Sequence, residues 1–275
     1  MKVSKKFESG QALVLVLLAL AVVLTVVLFI LSRSITDISV STSESAAVSA
    51  FSAAEAGVEQ ALVVGTGGNS DVGTASYSSQ VTSVASGATS FIYPVEFNSG
   101  DAATLWFKSQ DSSSDFNGNT LKICWGKAGT ASGAAVTPAL EVVVLYETVA
   151  NDPATTKIFR VTADPYSGRN PSNSFDSAGG SCTVTGQVFP FSKTISLAGL
   201  NNPQFAYVRL FYNTDTAQPI AFDTTTAATF PSQGILVDSS GTAGQSSRKV
   251  EVFQSWPEIP SIFQFAVYSS TGITK

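Results

Sequence analysis

Few side chains in this sequence have chemistry to offer. Histidine is absent from the 275 residues, which removes the commonest general base and the commonest metal ligand together. Cysteine occurs twice, as Cys124 and Cys182. Outside a reducing compartment two is the number for one disulfide, and the wide spacing fits no metal motif. Bonded, the pair closes a loop of about 60 residues, for which chain entropy gives ~4 kcal/mol; unbonded, they are two buried thiols. The densest group of oxygen side chains is Asp111–Ser112–Ser113–Ser114–Asp115–Phe116–Asn117–Gly118–Asn119. Calcium takes roughly six to eight oxygens from a flexible loop, but this one lacks the bidentate glutamate and the spacing of an EF-hand and reads as a solvated turn. Asp215, Asp223 and Asp238, with Thr224–Thr225–Thr226, form a weaker group still.

Catalytic signatures are missing as well. The sequence holds no Gly-x-Ser-x-Gly elbow, zincin motifs need histidine, and there is no phosphate-binding P-loop. A carboxylate pair could serve an enzyme, yet nothing in the spacing selects one. Trp106, Trp125 and Trp256 read as core rather than as a sugar-binding platform. The sequence therefore designates no catalytic, cofactor-binding or metal residue and calls for no cofactor. With 13% charged residues and a net charge of −5, it has no general electrostatic pull toward nucleic acid.

The chain is organised around the stretch from Gln11 to Leu62. Ala12–Leu31 is apolar except for Thr25, and no proline or glycine interrupts the sequence from there to Gly57. About 20 apolar residues at 1.5 Å each span roughly the 30 Å of bilayer hydrocarbon, and a helix satisfies its own backbone there. The reading is one continuous helix over 11–64, with a transmembrane half at 12–31. Its second half is amphipathic: Ala47, Phe51, Ala54, Val58, Ala61 and Leu62 recur at three- and four-residue steps and predict one apolar face. Gly65–Thr66–Gly67–Gly68 then ends the helix, since glycine takes the left-handed cap conformation freely. The arm before the helix carries Lys2, Lys5 and Lys6 against Glu8, which predicts a cytoplasmic N-terminus and an external remainder. A secretory signal would have a shorter apolar core and a small-residue cut close behind it. Here Ser32–Arg33–Ser34–Ile35 follows, so the helix is expected to stay in the mature protein.

The basic leader ending in Gly10, then Gln11–Ala12–Leu13–Val14–Leu15 and a long apolar helix, resemble a type IV prepilin. The phrase Phe51–Ser52–Ala53–Ala54–Glu55–Ala56 is similar to minor pilins of the PilX class and to GspK-like tip pseudopilins. The resemblance covers about the first 62 residues. It implies residues 1–10 as a leader, a cut by prepilin peptidase between Gly10 and Gln11, and N-methylation of the new terminus at Gln11. It also implies packing of the helix against other pilin subunits, here through Leu15, Phe51, Ala54 and Glu55. Major pilins carry a glutamate at the fifth place after the cut, where it pairs with a neighbouring amine. A carboxylate buried in lipid is costly unless paired, and Leu15 stands there instead. That departure points to a minor subunit at or near the tip, or to a subunit held in the filament by apolar contacts alone.

Residues 65–90 form a Ser/Gly-rich connection, either a loop or a pair of short strands. Residues 91–275 predict a β-rich extracellular head. Strand-like runs bounded by turn residues are Phe91–Phe97, Thr104–Lys108, Thr120–Trp125, Leu140–Glu147, Lys157–Ala163, Val184–Phe191, Lys193–Leu197, Ala206–Tyr212, Ile220–Asp223, Gly234–Asp238, Arg248–Ser255 and Ile262–Ser269. Val250 and Val252 alternate with Lys249 and Glu251, and Val208 and Leu210 with Arg209 and Phe211, a pattern of antiparallel sheets with one solvated face. Ser239–Ser240–Gly241 predicts a hairpin loop. The fold class expected is thus α+β: a long N-terminal helix carrying an enlarged, mainly antiparallel all-β head. Two functions fit: a minor pilin or pseudopilin of a type IV pilus-like filament, a single-pass membrane protein before assembly; or a membrane-anchored adhesin or ligand-binding β domain.

Overall fold

The computed structural model describes residues 9–111 and 114–258, with side chains from residue 13. In chain order the elements are helix α1 (Ser9–Val64), strands β1 (Asn69–Val72), β2 (Ala75–Ser83), β3 (Ser90–Ile92), β4 (Ala102–Trp106), β5 (Thr120–Trp125), β6 (Ala139–Glu147) and β7 (Thr156–Ala163), and the single-turn helix α2 (Asn170–Asn173). Then follow β8 (Cys182–Val184), β9 (Gln187–Phe189), β10 (Phe191–Ser196), β11 (Pro203–Phe211), β12 (Ile220–Asp223), β13 (Gly234–Ala243) and β14 (Ser246–Ser255). A long apolar helix followed by an antiparallel β head is the α+β organisation expected. The predicted strand Ile262–Ser269 lies outside the described residues.

The chain forms two compact units, and passes between them inside β2, β13 and β14. The first takes residues up to Gln80 together with Asp238–Glu251. Its sheet has the order β1-β2-β13-β14. The 65–90 connection is thus the β1–β2 hairpin and the start of β3, in place of a plain loop. The hairpin between β13 and β14 turns at Gly244, whose φ is +56°. Ser239–Ser240–Gly241, expected to be that loop, runs inside β13. The small residues there mark close packing against α1 instead of a turn.

The second unit holds two four-stranded sheets, β10-β5-β12-β3 and β4-β11-β6-β7, and the ribbon β8-β9. The inward residues of both sheets enter one core, among them Leu121, Ile123 and Trp125 of β5, Leu140, Val142 and Val144 of β6, and Val208 and Leu210 of β11. Trp125 is fully buried, and its indole N–H donates to the Pro138 carbonyl at 2.9 Å. The face expected to be solvated on β11 is not. Arg209 is only 7% exposed; it lies 3.6 Å from Glu141, itself paired with Arg160. A buried guanidinium stays charged at acceptable cost only with such a carboxylate beside it.

Cys124 and Cys182 are joined as a disulfide across a sequence separation of 58. The bond ties the ribbon to the C-terminal end of β5, where Val184, Phe189 and Ala221 pack around it. A second tie is built on Arg169. Its guanidinium holds the fully buried Asp164 carboxylate at 2.8 Å and donates to the carbonyls of Ala135 and Thr137. It also stacks 4.0 Å from the Tyr212 ring.

Candidate functional site

α1 is the one described element whose surface does not suit water. It runs 56 residues without a break. From Leu13 to Leu31 every large apolar side chain is exposed, Leu15 by 67% and Phe29 by 68%. Among the described residues this is the one helix long and apolar enough to cross a membrane, and its most apolar window has nothing packed on it. The polar atoms it does carry are satisfied within the helix. Thr25 Oγ1 donates to the carbonyls of Ala21 and Val22 at 3.0 and 2.8 Å, so this hydroxyl asks nothing of its surroundings. Thr36, Thr42, Ser43 and Ser49 fold back in the same way on carbonyls four residues earlier. Such back-bonding is how hydroxyls are tolerated where water is scarce.

The second half of α1 is seated on its own unit. The buried face is Ala50, Ala53, Ala54, Gly57, Val58 and Ala61. This corrects the predicted face, which placed Phe51 inward. Phe51 is 45% exposed, and the stripe is rotated toward the smaller residues. The reason is how closely strand and helix approach. A Cβ added at Gly241 of β13 would collide with the Ala50 carbonyl and stand 2.6 Å from the Ala54 amide nitrogen. One added at Gly57 would meet the Tyr77 ring and the Ser239 hydroxyl. A phenylalanine has no room in a seat where two backbones touch. Tyr77 OH closes the seat by donating to Gln60 Oε1, and Gly65, at φ +77°, caps the helix with its N–H on the Ala61 carbonyl at 2.8 Å.

The residues singled out by the resemblance fall in different places. Gly10 and Gln11 belong to the first turns of α1. Leu15 and Phe51 face outward, and Glu55 is exposed. Ala54 is fully buried in its own unit, where its backbone lies against Gly241 of β13. Sequence periodicity missed the close approach of Gly57 to Tyr77 and Ser239 and of Gly241 to Ala50 and Ala54; a glycine inside a strong helical pattern was the available signal.

The oxygen-rich loop has an internal use for its best ligand. Asp115 accepts from Lys108 Nζ at 2.9 Å and from the Ser109 N–H at 2.8 Å. Partial burial, the largest single effect, pushes its pKa upward, but the hydrogen bonds and the Lys108 charge together hold it below the usual carboxylate range. Asp223 accepts from the Thr225 N–H, and Asp238 pairs with Lys249 at 2.6 Å. Asp215 borders a cavity of about 330 Å³ beside Lys127 and Gln218. Among the described residues no three His, Cys, Asp or Glu side chains gather to hold a metal.

No protein-family model, curated protein or solved structure matches the chain.

Proposed function

We propose that the protein is a minor pilin or pseudopilin subunit of a type IV pilus-like filament. Its partners are the membrane, a prepilin peptidase and other pilin subunits. The observation that carries this reading is α1 itself: one helix whose first half has no protein around it and whose second half is locked to a sheet. An anchor alone needs about 20 residues. Here the apolar rod continues rigidly into the seat, which is how a bundle of such rods would hold its β units in register. The basic leader ending at Gly10–Gln11 supports insertion with the β units outside the cytoplasm. Leu15, in place of an acidic residue, leaves the inserted half uncharged and fits a subunit that enters a filament through apolar packing.

Before assembly the chain is a single-pass membrane protein. Maturation removes residues 1–10 and methylates Gln11. The apolar halves then bundle by side-by-side packing in the fibre core, where small and branched side chains interdigitate, and the β units line or cap the surface. Replacing Gly10 by Val tests this. The expected result is an unshortened protein on gels and its loss from sheared fibres. A G10V protein that is shortened normally and recovered in fibres contradicts the proposal.

A further inference from the structure

The sheet of the first unit ends in two unlike edges. β1 has four residues, while β14 has ten, none of them buried. β13 lies along one side of β14, and among the described residues no strand pairs with the other side. A long open edge is a ready template for another chain. The middle of this edge carries charge of both signs. Lys249 Nζ reaches Asp238 at 2.6 Å and Glu251 at 3.4 Å, yet the Lys249 and Glu251 side chains remain 60% and 52% exposed. They are two residues apart and stand on one face of the strand, with Val250 between them on the other.

A second copy of the chain can meet this edge in few ways. Two copies of one edge strand in a closed, symmetric contact run antiparallel about a two-fold axis normal to the sheet. That axis passes through a residue and never between two. Only every second residue turns its N–H and C=O to the open side, and both strands must present theirs together. With the axis at Arg248, two arginines stand opposite each other. At Lys249 two lysines do, and at Glu251 two glutamates. At Val250, Lys249 of each strand stands opposite Glu251 of the other, and Val250 opposite Val250. Opposite charges directly across two strands attract and like charges repel, so charge selects the register centred on Val250.

We propose that β14 is a self-association edge: two copies of the chain join their β14 strands antiparallel about Val250 into one continuous sheet. The contact has a consequence for the helices. The axis is normal to the sheet, and the second half of α1 lies along a face of that same sheet, with Ala50 and Ala53 packed on Ala75, Tyr77 and Ala243. The two α1 helices of a pair therefore run in opposite directions. Such a contact joins chains carried on two facing membranes or fibres, and not neighbours in one. The inference goes beyond the pilin reading, and the pairing does not depend on it.

Thiol cross-linking of the full chain in detergent micelles tests it. Both native cysteines are held in the disulfide, so an introduced cysteine is the reactive thiol. Val250→Cys meets its counterpart across the axis, and a short bismaleimide is expected to trap a covalent dimer. Ser247→Cys stands roughly 20 Å from its counterpart at ~3.3 Å per residue and is expected to stay monomeric on gels. Lys249→Glu sets like charges opposite each other and weakens the dimer at least about tenfold in sedimentation; adding Glu251→Lys restores it. Vesicles bearing the unaltered chain cluster, and those bearing Lys249→Glu stay dispersed. An unaltered chain that sediments as a monomer at every concentration overturns the proposal and makes the charges a guard on the edge. A dimer trapped by Ser247→Cys and not by Val250→Cys, or one indifferent to Lys249→Glu, overturns it too. Dimers in micelles without clustering of vesicles overturn the facing arrangement.

Discussion

Arg169 shows how much of the β structure hangs on single polar side chains. Asp164 is fully buried, and it accepts from Arg169, from the Tyr166 N–H at 2.8 Å and from Asn173 Nδ2 at 2.8 Å. Arg169→Ala leaves that carboxylate without its counter-charge, and removing one partner of a buried pair costs about 3–5 kcal/mol; chemical denaturation of the full chain measures it. Lysine restores the charge but not the planar fork, so Arg169→Lys recovers only part of the loss. Cys182→Ser opens the loop closed by the disulfide and is expected to cost ~4 kcal/mol, read as a lowered midpoint in the same experiment. Tyr93 adds a pH dependence. Burial first, and the Glu258 charge second, push its pKa far above the ordinary value of 10.0. A raised folded-state pKa means that the contribution is fully present below about pH 10 and is lost as pH rises beyond it. Absorbance at 295 nm should show one of the seven tyrosines ionising only as the protein unfolds. Ionisation of all of them before unfolding contradicts this.

Among the elements, the seat of α1 is the most exacting. Gly241 lies against the backbone of Ala50 and Ala54, so Gly241→Val must displace strand or helix. The expected outcome is a loss of protection against proteolysis between Ser41 and Val64, with β5 unaffected. Phe51→Ala, on the exposed side of the same helix, leaves that protection intact. The contrast explains what the sequence made legible. The helix, its glycine cap and most strand positions follow from composition and period, and β5, β12 and the alternation of Val250 and Val252 stand where turn residues placed them. The inward face of α1 did not follow, because period favours the larger apolar residue while contact between two backbones admits only the smaller one. Ser239–Ser240–Gly241 misled for a related reason: small residues that look like a turn also let a strand lie flat on a helix. Arg209 misled because alternation reports which face a side chain is on, and not whether that face is covered by a carboxylate neighbour.

For the whole molecule, the function proposed above rests on the N-terminal stretch and hardly at all on the β units. The Asp164–Arg169 pair holds buried structure together there, and the two cysteines are joined in one bond. What separates this chain from an ordinary secreted β protein is a rod with no protein around its first half. The proposed filament role requires that rod to be kept after maturation. Mass analysis of the N-terminal peptide from protein isolated out of its own membrane or fibres tests this most directly. The predicted peptide begins at Gln11 and carries one added methyl group on its amine; a mature chain that begins beyond Leu31, or one that keeps Met1 to Gly10 in isolated fibres, contradicts it.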